Sequence, residues 1–260
     1  MDLGLDGDTA LVTASSSGLG FASAKALTRE GADVVICGRT PERLDDAAAE
    51  LADTPGAVET VAADLTERGD VTALVEATVE AFGGIDHVVT SAGGVPPGSF
   101  ADAADRDWYG AYDTLVMSVV WTLREARPHL EASENGTITA ITSTSVQEPI
   151  ENLILSNVVR RGVIGLVKSL AREWAPDVRA NAVLPGAHET ARIEELIEDA
   201  IDRGEFDDYD AGLADWADGV PLARIGDPER FGEVVAFLAS DAAGFVNGAT
   251  LPVDGGRLRS

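Results

Sequence analysis

The feature that most constrains this chain is an alternation that runs its whole length. Short apolar runs alternate with longer segments of helical period. The runs cover 9–13, 33–37, 58–62, 87–90, 137–142, 178–184 and 250–253, and each is rich in Val, Ile, Thr or Ala. They do not alternate polar with apolar, which is the pattern of strands buried on both faces of a parallel sheet. Helical patterns fill the intervals at 19–29, 41–51, 71–82, 107–130, 153–174 and 229–240. Pro41 after Thr40 reads as a first helical residue following its N-cap. Strand–helix alternation without repeat or linker predicts an α/β fold: a doubly wound parallel sheet in three αβα layers, one domain over 1–260. A ligand is then expected at the C-terminal ends of the strands.

One segment breaks the rhythm. Residues 191–219 hold eleven acids against two arginines and read as a helical lid over a site. The acidity extends to the whole chain, with 45 Asp and Glu against 19 Lys and Arg and a net charge of −26. That balance argues against nucleic acid and against an anionic membrane surface. No run is long and apolar enough for a membrane span, and the opening MDLGLDGD is not a signal peptide. Cys37 alone cannot make an internal disulfide, which fits a reducing cytoplasm. Three His and one Cys make a structural zinc site improbable. Only Lys25 and Lys168 are lysines, and an even acidic coat with so little Lys resembles halophilic proteins. Molar salt screens such a coat to a Debye length of about 3 Å.

The first apolar run leads into a turn of small residues, Ala14-Ser15-Ser16-Ser17-Gly18-Leu19-Gly20, and then a helix. Such a turn lets backbone N–H groups approach a pyrophosphate at the helix N-terminus, as in Rossmann folds. The order of further motifs resembles the short-chain dehydrogenase/reductase family over essentially the whole chain. Its TGxxxGxG corresponds to Thr13 through Gly20, with Ala14 at a usual glycine. The family's Asp near the adenine matches Asp64, followed by Leu65. Its NNAG matches Thr90-Ser91-Ala92-Gly93, and its PGxxxT matches Pro185-Gly186-Ala187-His188-Glu189-Thr190. The C-terminal pattern returns as Phe237-Leu238-Ala239-Ser240-Asp241, Gly248 and Val253-Asp254-Gly255-Gly256. Cofactor contacts are thereby expected from Ala14, Ser16, Ser17, Gly18, Leu19, Gly20, Arg39, Asp64, Leu65, Ala92, Gly93, Arg160, Pro185, Gly186, His188 and Thr190.

Cofactor choice turns on the end of the second strand. A carboxylate there would bond the ribose 2′-OH of NAD. Here Gly38 stands in that place and Arg39 follows, a fork of donors suited to a 2′-phosphate, with Ser16 and Ser17 as further donors. NADP(H) is the expected cofactor.

The resemblance implies a catalytic Ser, Tyr and Lys, with an Asn in the preceding long helix. Ser143 matches the serine. The Tyr-x-x-x-Lys register, fixed by the following Gly162 to Leu170, falls on Ser156 and Arg160, and the Asn position falls on Leu115. Lys168 lies two helical turns too late. A serine hydroxyl is far less acidic than a phenol, and a guanidinium holds its proton. His188, Glu148, or a water held by Ser143, Ser156 and Asn157 are the candidate proton donors, and Tyr209 is a candidate lid contact. The expectation is an NADP(H)-dependent oxidoreductase acting on a ketone or secondary alcohol, resembling 3-oxoacyl reductases, with Ser143, Ser156 and Arg160 as a non-standard catalytic set. The rivals are a nucleotide-binding module without turnover and a non-redox lyase or isomerase on the same fold. The resemblance also implies a homotetramer or homodimer paired through the two long helices and the last strand.

Overall fold

The computed structural model describes residues 3–259, apart from the side chain of Arg192. Seven strands form one sheet: β1 (Thr9–Val12), β2 (Asp33–Gly38), β3 (Val58–Ala62), β4 (His87–Thr90), β5 (Gly136–Ile141), β6 (Val178–Pro185) and β7 (Thr250–Val253). Their order is β3-β2-β1-β4-β5-β6-β7, every pair parallel. All residues of β1, β4 and β5 are buried, which is why those runs carry no alternation in sequence.

Helices cover both faces: α1 (Gly18–Arg29), α2 (Pro41–Leu51), α3 (Arg68–Phe82), α4 (Asp105–Tyr112), α5 (Ser118–Ala132), α6 (Ile154–Glu173), α7 (Ala191–Asp202), α8 (Tyr209–Ala217) and α9 (Pro228–Ala239). Leu27, Leu44, Phe231 and Val235 pack α1, α2 and α9 on one face. Leu74, Leu123 and Val167 pack α3, α5 and α6 on the other. The stretch read as one helix over 107–130 is two, α4 and α5, joined by a π-helical turn, Asp113–Met117. One extra residue in that turn shifts the face each side chain presents, and such turns gather at functional sites.

The chain starts in the middle of the sheet, winds out to β3, then crosses to β4 and winds the other way. The loops after β1 and β4 therefore part and leave a crevice between them. The segment expected as a lid is two helices, α7 and α8, around a small core of Ile193, Ile197 and Ile225. Its entry and exit meet at one place. Gly226 N–H donates to Ala187 O at 2.8 Å, and Glu189 N–H donates to Gly226 O at 2.9 Å.

Candidate active site

The crevice floor is the turn after β1. Ser15 ties it to β2: its N–H donates to Cys37 O at 2.9 Å, and its Oγ accepts Cys37 N–H at 3.0 Å. Gly20 is required by close approach, since a Cβ there would lie 2.5 Å from Ala14 O. Ala14 itself adopts φ +47°, the left-handed region where glycine is at ease. No side chain caps the start of α1 at Ser17. Its first N–H groups are thus free donors at the positive end of a helix dipole, the chemistry a diphosphate needs.

Two cavities continue from this turn. One, of about 370 Å³, is lined by Ser16, Gly38, Arg39, Arg43, Asp64 and Thr114 among others. A Cβ at Gly38 would come within 2.9 Å of Ser16 Oγ, so a carboxylate at that place would displace Ser16. Arg39 and Arg43 form no ion pair among the described residues. Both are exposed, and together they give this cavity two guanidinium groups, donors suited to an anion. The Asp64 carboxyl is held below the usual carboxylate range, chiefly by the hydroxyl and N–H of Thr66 and less by Arg39. Arg43 was not singled out from the sequence. Its signal was present: it falls four residues after Arg39, in the first turn of a helix begun by Pro41.

The second cavity, about 340 Å³, runs from Ala14, Ser17 and Gly18 past Ser91, Ala92 and Gly93 to Thr142, Arg160, Pro185 and Thr190. Arg160 Nε donates to Ser156 Oγ at 3.1 Å, and Arg160 Nη1 reaches Thr142 O at 3.5 Å. Burial pushes the guanidinium down to about 10. Ser143, just past β5, accepts Ser145 N–H at 3.1 Å. No hydrogen bond joins Ser143 to Ser156 among the described residues. Leu115 is buried in the core and lies in the π-helical turn, while its neighbour Thr114 lines the first cavity.

The candidate proton donors are placed elsewhere. The His188 ring packs edge-on against Phe231, its Nδ1 is 3.1 Å from Gly186 O, and it lines a separate small cavity with Arg224 and Asp227. Burial lowers its pKa below the usual imidazole value. Glu148 Oε1 accepts Arg259 N–H at 2.9 Å. Asn157 spends its amide on the loop before it, donating to Ile150 O at 2.8 Å and accepting Ile150 N–H at 3.2 Å. Tyr209 donates to Glu189 at 3.1 Å, and desolvation, aided by Glu189, pushes its phenol up to about 12. Lys168 donates to Gly248 O, remote from the crevice. His87 is spent between Asp8 and Thr137 at the N-terminal end of the central strand β4, away from the crevice.

Uncapped donors at the switch point of a doubly wound sheet, with arginines where the adenosine end would lie, define a dinucleotide-binding α/β protein. A family profile described as Enoyl-(Acyl carrier protein) reductase matches residues 13–257. The chain belongs to the short-chain dehydrogenase/reductase family. It is 33% identical over 265 residues to the uncharacterized oxidoreductase YvrD of Bacillus subtilis, covering 100% of both chains. It is similar to L-sorbose reductase of Gluconobacter frateurii, seen with NADPH and L-sorbose, at 32% identity, TM-score 0.95 and 100% coverage of both. It is also similar to a Pseudomonas aeruginosa short-chain oxidoreductase described as containing an atypical catalytic center, at 31% identity, TM-score 0.92 and 100% coverage of both. Among the described residues, no helix is long and apolar enough to cross a membrane.

Proposed function

We propose that this chain is an NADP(H)-dependent reductase or dehydrogenase interconverting a ketone and a secondary alcohol through a catalytic set of Ser143, Ser156 and Arg160. The observation that carries it is the continuous crevice. It has Arg39 and Arg43 without ion pairs at one end, uncapped α1 donors in the middle and Arg160 on Ser156 at the other. The residues fit the cofactor. Arg39, Arg43 and Ser16 would hold a 2′-phosphate, the α1 N-terminus the diphosphate, Asp64 and Leu65 the adenine, and the loops at Ala92–Gly93 and Pro185–Thr190 the nicotinamide end. NADP(H) supplies or accepts the hydride.

The chain's own residues handle the substrate oxygen. Arg160 fills one lone pair of Ser156 Oγ, and the Ser156 hydroxyl hydrogen has no acceptor among the described residues. That hydrogen is free to donate to a carbonyl or alkoxide oxygen. Ser143, held by Ser145 N–H, offers a second donor. Neither serine is acidic enough to lose its proton, so a water passes the proton to the alkoxide. The lid of α7 and α8 covers the substrate side.

The test is NADPH oxidation, followed optically, over a panel of ketones in molar KCl. Turnover supports the reading. Tight NADPH binding without turnover of any carbonyl or alcohol would leave a nucleotide-binding module or a non-redox enzyme.

The acidic coat and the apolar side chains exposed at Tyr112, Val158, Phe245 and Leu251 support a dimer or tetramer held together in high salt. Light scattering across a salt series tests this.

A further inference from the structure

Resting on the reductase reading above, we propose that Arg160 anchors a carboxylate on the substrate, so that the substrates are oxo acids and their hydroxy acids. Three observations on the page carry it.

The first is the company Arg160 keeps. Among the described residues it forms no ion pair, and its two hydrogen bonds go to uncharged oxygens, Ser156 Oγ and Thr142 O. A partly buried guanidinium without a counter-ion is costly, and proteins rarely leave one so. This chain has 45 acids to choose from. The carboxylates on the loops that follow β5 and β6 are engaged elsewhere: Glu148 with Arg259 N–H, and Glu189 with the Tyr209 hydroxyl.

The second is direction. Arg160 lines the cavity that runs along the α1 turn to Pro185 and Thr190. The cofactor's own anions are accounted for by other groups, the diphosphate by the start of α1 and the 2′-phosphate by Arg39 and Arg43. The ribose next to the nicotinamide is neutral. The charge that Arg160 awaits therefore comes from the other ligand of the cavity.

The third is shape. A guanidinium fork matches a carboxylate bidentately, which an ammonium does not. With Nε committed to Ser156 and one Nη1 hydrogen to Thr142 O, Nη2 and the second Nη1 hydrogen remain for the carboxylate. The Ser156 hydroxyl then sits beside that carboxylate, placed for a carbonyl one or two carbons away. In the reduction, hydride passes from NADPH to the carbonyl carbon, and a proton from water reaches the oxygen, giving the hydroxy acid and NADP⁺.

The experiment uses acetoacetate and methyl acetoacetate as an acid–ester pair, with malonate as a non-reacting anion. NADPH fluorescence of the binary complex reports binding of the pair, and the melting temperature without cofactor reports malonate. The proteins are the parent chain, Arg160→Met, which keeps length and loses charge, and Arg160→Lys, which keeps charge. Removing both charge and desolvation cost makes Arg160→Met a tolerable change for folding, and Arg160→Lys covers the case in which it is not.

The parent is expected to bind the acid at least about tenfold tighter than the ester. Arg160→Met should lose that discrimination, and Arg160→Lys should keep part of it. Malonate should raise the parent's melting temperature more than that of Arg160→Met. Equal affinity for acid and ester in the parent, or unchanged discrimination in Arg160→Met, overturns the proposal. Acid-selective binding with no NADPH oxidation by any carbonyl would leave the anchor standing and the reductase reading failed. Reduction of neutral ketones and esters as readily as acids would do the reverse.

Discussion

Thr13 and Ser91 grip each other across the crevice: Thr13 Oγ1 donates to Ser91 O at 2.7 Å and accepts Ser91 N–H at 2.9 Å. They directly follow β1 and β4, the two strands whose loops part at the switch point. One hydroxyl thus sets the spacing of the two walls between which the dinucleotide lies. Replacing Thr13 by Val keeps the shape and strands both backbone groups of Ser91. The expected loss is about 1–3 kcal/mol of stability, read from urea unfolding, with weaker NADPH binding beside it. An unchanged midpoint would show that water takes over both bonds.

Arg39 and Arg43 are expected to share the 2′-phosphate. Arg39→Ala and Arg43→Ala should each weaken NADPH by about tenfold, near 1.4 kcal/mol, and leave NADH almost unchanged. Isothermal titration with both nucleotides checks this. Equal loss for the two would mean that these residues hold the adenine or diphosphate and not the extra phosphate.

Ala14 is strained where its φ is +47°. Ala14→Gly removes that penalty at the cost of a looser unfolded chain, and should stabilise by about 0.5–1 kcal/mol. For a domain this large that is a rise of about 1–4 °C in melting temperature, measurable by calorimetry. A fall would show that the turn has no strain to release.

On the proposed reading, Ser143 and the Ser156–Arg160 pair divide the catalytic work. Ser143→Ala should lower kcat by about 10²-fold, the scale of one positioned donor. The double change Ser156→Tyr with Arg160→Lys tests whether this site is adapted or decayed. Activity on the native substrate should fall, because a phenol fills the space beside the carboxylate anchor. Steady-state kinetics on both variants decides, and a gain in the double variant would mark decay.

His188 bears on stability through pH. Its folded pKa lies below its unfolded value of about 6.5, because burial disfavours the imidazolium more than Gly186 O and Asp227 favour it. The unfolded chain therefore binds the proton first as pH falls. The His188 contribution is complete above pH 6.5 and is lost below it. Melting temperatures from pH 7.5 to 5.5 should fall more steeply for the parent than for His188→Gln. Parallel curves would remove His188 from the account.

The fold was legible because burial on both faces writes itself into the central strands β1, β4 and β5 as apolar runs without alternation, while the edge strands β3 and β7 were marked by their Val- and Thr-rich composition. The expected strands at 58–62, 87–90 and 250–253 coincide with β3, β4 and β7. The π-helical turn between α4 and α5 was not legible, because its five residues continue the helical stretch without a Gly, a Pro or a gap in apolar content to mark it. Residues 191–219 were legible as helical, since Ile193, Ile197 and Ile201 recur on one face of α7, but the division into α7 and α8 between Asp202 and Tyr209 was not. At the site, Arg39 stood out by its place after a strand, and Arg160 by its register in α6. The commitments of His188, Glu148 and Asn157 did not. Each is fixed by a backbone group or ring distant in sequence or by a loop's fold: Phe231, Arg259 N–H and the backbone of Ile150. Such pairings leave no trace in local pattern.

The lid enters and leaves the domain through one clasp, where Ala187 and Glu189 meet Gly226. Between those points the segment meets the nucleotide half again at its two ends: Ala191 and Glu195 line a cavity with Ser16, Ser17 and Gly18, and Leu222 N–H donates to Gly255 O at 3.2 Å. A different segment can be hung on the same clasp where those end contacts are kept. On the lid reading, substrate range can therefore drift, or be engineered, by exchanging residues 196–219 as a cassette while Thr190 and the α1 turn stay as they are.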